Sequence, residues 1–305
     1  MKRVFSVILI FIFSLSFIPS AAFAEDEYNI GDIWTVDGLL SLTILNVAET
    51  SDRNEYSDKQ PAAVYVVDYA YKNLGYEDPF SVGLYVSIDD QIVDAAGAMG
   101  YSYPGDQVYY AQETPVGATC IAQSVIGVDN PGNFKLHVSK YDADGTRHKA
   151  TFNVDLSAEP AVLDNTIPLD PFDGAFMMNE PWTVDGQWSV SITGVTETDA
   201  RNTYSEKVPG AVYIVDYTYS NLGFEEEYSD GLYISIEECI VDNVGFMGYS
   251  YPGDVTYYPQ ETPLGATCKA QACIGVPHAG NFQLVISKYD GNGDVHSANF
   301  YVPVD

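Results

Sequence analysis

Basic residues are scarce in this chain. Lysine and arginine number 13 against 43 aspartates and glutamates, a formal net charge of −30. Residues 1–24 hold Lys2 and Arg3 and no acid, so the remainder carries 13 − 2 = 11 basic and 43 acidic residues, a net of −32. A field of that sign repels nucleic acid and anionic lipid, and excludes both as partners. Histidine is also rare: His137, His148, His278 and His296 are the full set. No His-x-x-x-His or Cys-x-x-Cys spacing occurs, which argues against a zinc centre, and no cofactor is expected. No stretch carries a 3.6-residue apolar period long enough for a sizeable helix, which excludes helical bundles and α/β folds. Gly100-Tyr-Ser102-Tyr-Pro104 has proline where a nucleophile elbow needs glycine, and no helix pattern follows it. No catalytic constellation is recognisable.

Residues 1–24 read as a secretory signal peptide. Lys2 and Arg3 precede an apolar run from Val4 to Ile18, and Ala22-Phe23-Ala24 is a small-x-small cleavage pattern. The run is short for a membrane span, no cysteine follows it for lipid attachment, and Tyr301-Val-Pro-Val-Asp305 carries no sorting signal. A secreted or envelope-associated protein is expected, with no stable membrane insertion after cleavage. Hydrophobic content of 46% is too high for disorder, so packed cores are expected.

The chain repeats itself. Gly100-Tyr-Ser-Tyr-Pro-Gly-Asp106 returns as Gly248-Tyr-Ser-Tyr-Pro-Gly-Asp254, a shift of 248 − 100 = 148 residues that holds throughout. Trp34-Thr-Val matches Trp182-Thr-Val, Tyr65-Val-Val-Asp-Tyr69 matches Tyr213-Ile-Val-Asp-Tyr217, and Ser139-Lys-Tyr-Asp142 matches Ser287-Lys-Tyr-Asp290. Repeat 1 is assigned to residues 25–156 and repeat 2 to 176–305. The segment 157–175, with Pro160, Pro168 and Pro171, has the composition of a stiff linker. Inside each repeat the period is two: Trp188, Val190 and Ile192 alternate with Ser189, Ser191 and Thr193. Seven to nine short strands with Gly, Asn, Asp and Pro between them predict an all-β chain of two tandem immunoglobulin-like β-sandwiches.

The order Trp-Thr-Val, a long loop, Val-Val-Asp-Tyr-x-Tyr-x-Asn-x-Gly, a hairpin near Asp89-Asp90 and a Pro-x-Gly before an alternating strand resembles a family of uncharacterised immunoglobulin-like domains of exported proteins and lipoproteins of Gram-positive bacteria. The resemblance covers both repeats and implies an extracytoplasmic sandwich without catalytic residues.

Several groups are candidates for chemistry. Tyr101, Tyr103, Tyr109 and Tyr110, with Tyr249, Tyr251, Tyr257 and Tyr258, suggest an aromatic platform for an extracellular glycan or protein. The competing reading is cross-strand packing. Pro104-Gly105 suits a type II turn with φ > 0 at the glycine. Asp142, Asp144, Asp290, Asn292 and Asp294 read as hairpin turns, with a calcium loop as the alternative that lacks its closing glutamate. His148 and His296 are expected to cap the rim of the core. Arg53 and Lys59, repeated as Arg201 and Lys207, are expected to tether the long loop through acidic neighbours. Cys239 and Cys273 occur only in repeat 2 and are expected to pair, leaving Cys120 and Cys268 free. The function expected is non-catalytic binding or adhesion. The alternatives are a secreted hydrolase using carboxylates such as Glu113 and Glu261 on glycans, and a secreted inhibitor or decoy.

Overall fold

The computed structural model describes residues 26–77, 81–163, 168–226 and 229–304. The expected signal peptide lies outside them. Among the described residues no helix is long and apolar enough to cross a membrane.

Repeat 1 consists of β1 (Glu27–Asn29), β2 (Trp34–Val36), β3 (Leu40–Thr50), β4 (Ala63–Asn73), β5 (Ile92–Val93), β6 (Tyr101–Ser102), β7 (Thr119–Val128), β8 (Phe134–Tyr141) and β9 (Arg147–Val154). One sheet runs β2-β3-β4-β7-β6 and the other β1-β9-β8-β5. Repeat 2 consists of β10 (Trp182–Val184), β11 (Trp188–Thr198), β12 (Ala211–Asn221), β13 (Ile240–Asp242), β14 (Tyr249–Ser250), β15 (Thr267–Val276), β16 (Phe282–Tyr289) and β17 (Val295–Val302). Its sheets run β10-β11-β12-β15-β14 and β13-β16-β17. The parallel bridge Phe176↔Phe300 stands where repeat 1 has β1. The chain is therefore two tandem immunoglobulin-like β-sandwiches of one design.

Trp188, Val190 and Ile192, which alternate with Ser189, Ser191 and Thr193, face inward. Leu40, Leu42, Tyr65, Val67, Tyr69, Tyr71, Ala122, Leu136 and Phe152 form one core, and Trp188, Val190, Tyr213, Tyr217, Tyr219, Leu284 and Phe300 the other. The phenols that this buries reach main chain: Tyr69 donates to Val86 O at 3.0 Å and Tyr217 to Ile234 O at 3.1 Å. An uncompensated buried hydroxyl is costly, so these bonds hold the crossing segments in place. Both repeats bulge at one place in the long hairpin, between Ile44 and Asn46 and between Ile192 and Gly194.

The Pro-Gly expectation needs correction. Neither Gly105 nor Gly253 is among the glycines of positive φ. The glycine serves close packing instead: a Cβ on Gly105 would lie 2.8 Å from Val125 Cγ1, and one on Gly253 2.3 Å from Cys273 Sγ. The linker differs from a spacer too. Ala161 N donates to Leu45 O, Leu169 N to Asn243 O and Phe172 N to Gln283 Oε1, while Leu169 and Phe172 pack on the first core.

Candidate functional site

The two sandwiches join head to tail, through different surfaces of each. Repeat 1 offers the N-terminal end of β7, beyond its pairing with β6, and the segment before it. Repeat 2 offers the turn between β13 and β14 and the outer face of its three-stranded sheet. Thr119 N donates to Gly245 O at 2.7 Å and Met247 N to Thr119 O at 2.8 Å, extending the β7 edge across the junction. Gln112 Nε2 donates to Gly248 O at 3.2 Å. The Tyr109 and Tyr249 rings lie 5.8 Å apart, and the Tyr109 hydroxyl accepts from Val208 N. Cys239, Val241, Met247 and Val285 are buried in the core cluster of repeat 1. Tyr109 is held for this contact from behind. Gln123 Oε1 accepts from Val108 N, and Gln123 Nε2 donates to Asp68 at 2.8 Å. Gln271 and Asp216 repeat that brace around Tyr257.

The eight candidate tyrosines therefore do not form one platform. Tyr103 and Tyr251 are buried braces whose hydroxyls accept from Asn54 N and Asn202 N, both at 2.9 Å, and so pin the long loops. Tyr109 and Tyr249 meet at the junction. Tyr101, Tyr110, Tyr257 and Tyr258 keep exposed area. The loop cations also differ from expectation. Arg53 and Arg201 donate to main-chain carbonyls of Thr50, Asp52, Thr198 and Ala200, not to carboxylates. Lys59 and Lys207 sit over the rings of Tyr101 and Tyr249, at 4.2 and 4.7 Å. A flat ring serves a cation there because its face is electron-rich.

The cysteine pairing is not formed: all four cysteines are free. Cys239 points out of the three-stranded sheet into the junction, whereas Cys273 lies outside the five-stranded sheet with Val212, Tyr249 and Tyr251. The two occupy opposite outer faces of one sandwich. Facing sheets are about 10 Å apart, beyond the ~7 Å Cα limit of a disulfide. Burial pushes the Cys239 thiol up to about 12, with Glu113 and Cys120 nearby adding to the effect.

The calcium alternative finds no support in the turns. Asp142 accepts from Asp144 N and Thr146 N and meets His148 Nε2 at 2.9 Å. Asp290 accepts from Asn292 N and Asp294 N and meets His296 Nε2 at 3.1 Å. The pairings with histidine and the main-chain donors hold both carboxyls below their usual range. Among the described residues no group of three or more His, Cys, Asp or Glu could hold a metal.

Beside the junction lies a cleft of about 940 Å³, built by both repeats. Ser81, Val82, Gln112 and Glu113 line one wall, and Phe224, Glu225, Glu226, Glu238, Lys288 and Tyr289 the other. Glu225, Glu226 and Glu238 are exposed. Lys288 Nζ sits 4.9 Å over the Phe224 ring, and Glu113 accepts from Val82 N. Glu261 occupies the Glu113 position one repeat further on and does not line this cleft. A scan against protein-family models and a search of curated proteins both return no match.

Proposed function

We propose that this chain is an exported, non-catalytic binding module whose ligand is a cationic peptide segment seated in the cleft between the repeats. The observation that carries the reading is the lining: three exposed glutamates, Glu225, Glu226 and Glu238, beside the exposed ring of Tyr289. Carboxylates favour Lys and Arg heads, and rings favour their stems or guanidinium planes. Clefts between domains are common ligand sites, and the net charge of −32 outside residues 1–24 draws cations toward the surface. The signal-like residues 1–24 and the resemblance to exported Gram-positive domains support an extracytoplasmic location.

The test is fluorescence anisotropy with labelled Arg- and Lys-containing peptides, with neutral peptides and a glycan array in parallel. Basic peptides bind, and Glu225→Lys with Glu238→Lys abolishes binding while leaving the melting temperature unchanged. Equal binding by the double variant, or binding by glycans alone, overturns the reading.

A further inference from the structure

A hollow of about 210 Å³ lies on the outer face of the five-stranded sheet of repeat 1. Thr43 of β3 with Ala70 and Lys72 of β4 contribute to its floor. Its walls are apolar and come from three places: Ile33 just before β2, Leu163 from the linker and Phe246 from the turn between β13 and β14. No acid lines it. Two polar groups in it are unclaimed. Thr43 is 5% exposed, and its hydroxyl has no hydrogen-bond partner. Such an orphan is costly, and folds leave few of them. Lys72 is half-buried, and among the described residues its ammonium has no hydrogen bond, ion pair or ring contact. Other lysines are occupied: Lys59, Lys140, Lys207, Lys269 and Lys288 each sit over a ring, and Lys135 meets Glu27. The same face of repeat 2 is built differently. Ser191, Thr218 and Ser220 stand for Thr43, Ala70 and Lys72, and Ser220 Oγ meets Thr267 Oγ1 at 2.7 Å.

We infer that this hollow binds a small carboxylate whose apolar body has the size of one aromatic ring. The volume sets the size. A dry apolar cavity of about 150 Å³ holds benzene, so the 210 Å³ here admits a ring and its acid group. The walls set the character of the body: Ile33, Leu163 and Phe246 offer it nothing polar. The floor sets the charge of the head. Thr43 stands opposite Ala70 in the sheet, so Lys72 is its diagonal neighbour on the same face. Diagonal neighbours lie about 7–8 Å apart, within reach of a long side chain. The Lys72 ammonium donates to one carboxylate oxygen and the Thr43 hydroxyl to the other, over the small methyl of Ala70. An ionised acceptor makes both bonds stronger than a neutral one would. The acidity of the whole chain does not oppose this. At physiological ionic strength, charges beyond a Debye length of about 8 Å are largely screened, so the nearest charge decides. A few placed polar groups in an apolar hollow are the usual composition of a small-molecule site.

The test is an amide NMR titration of the exported protein with benzoate up to about 10 mM, with benzyl alcohol and benzylamine as neutral and cationic matches. Benzoate moves the amides of Thr43, Ala70, Lys72 and Phe246 and leaves those of Ser191, Thr218 and Ser220 in place. Benzyl alcohol binds about tenfold more weakly, and benzylamine does not bind. Lys72→Ser, which copies repeat 2, brings benzoate down to the level of the alcohol. Thr43→Val also weakens benzoate, and Thr43→Ser keeps it. Thr43→Val does not lower the melting temperature of the free protein, because the hydroxyl it removes has no partner there. Benzylamine that binds as well as benzoate overturns the inference. So do amides that stay in place at the highest benzoate concentration, or a Lys72→Ser protein that binds benzoate as wild type does. A Thr43→Val protein that melts lower than wild type gives that hydroxyl a partner within the fold and overturns the site as drawn.

Discussion

Met247 and Met99 are one residue type at one position of one design, and they differ in what covers them. Met247 lies 5% exposed in the core cluster of repeat 1, and Met99 lies 59% exposed. Replacing each by alanine therefore isolates the contribution of the junction. Truncating a buried methionine costs about 2–5 kcal/mol, the lower end where the surroundings close over the gap. A junction between two sandwiches relaxes more easily than a core, so Met247→Ala is expected to cost about 2–3 kcal/mol. Met99→Ala is expected to fall within about 0.5 kcal/mol, as surface changes do. At about 2–4 °C per kcal/mol for a cooperative unit of this size, Met247→Ala lowers the melting temperature by roughly 4–12 °C. The assay is thermal unfolding followed by far-UV circular dichroism at low micromolar protein, with Trp fluorescence recorded in parallel. Trp34 reports repeat 1, and Trp182 and Trp188 report repeat 2. A weakened junction also separates the two probes into distinct transitions. Equal shifts from the two substitutions would refute the reasoning, because burial at the junction would then not be what distinguishes them.

Tyr103→Phe and Tyr251→Phe each remove one bond to a loop amide and should cost about 1–2 kcal/mol. Limited proteolysis should then cut residues 51–60 or 199–208 faster, and an unchanged cleavage rate would show the loops held by something else. Asp142 and Asp290 have carboxyls held low in the folded state. Their stabilisation is therefore complete above the unfolded carboxyl value near 3.9 and is lost as pH falls through the lower folded value. Unfolding titrations from pH 6 to pH 2 should show Asp142→Asn and Asp290→Asn flattening that acid loss, and parallel curves for variant and wild type would contradict it. Thiol titration with an aromatic disulfide should modify Cys268 alone in the native protein and all four cysteines in denaturant, since only Cys268 is not buried. Two reactive thiols in denaturant would mean a bridge exists.

Much of the fold was legible because a sandwich strand buries one face and water covers the other, so Tyr65, Val67, Tyr69 and Tyr71 announce themselves at a period of two. The duplication doubled that signal. The site was less legible, because identity between the repeats marks what both need internally. Asp68 with Gln123, and Asp216 with Gln271, are identical in the two copies and prove to be braces behind the tyrosine segment. Tyr103 and Tyr251 read as platform candidates for the same reason, and they are loop anchors. Pro-Gly suggested a turn, but the constraint was lateral: Val125 and Cys273 leave no room for a Cβ. Cys239 and Cys273 were paired on the ground that both are confined to one copy, and that ground could not reveal that they face away from each other across a sandwich.

The informative positions were those where the copies differ. A duplicated domain starts with identical surfaces, and docking one copy on the other puts each surface in two environments, covered in one repeat and solvated in the other. Residues then separate by position in the pair. Cys239, Phe246 and Val285 are apolar where the junction covers them, and their counterparts Gln91, Ala98 and His137 are smaller or polar where water reaches them. Ile121 and Lys269 divide in the same sense on the receiving side. The change follows solvation: a residue stays apolar where the junction covers it, as at Cys239, Phe246 and Val285, and turns small or polar where its counterpart meets water.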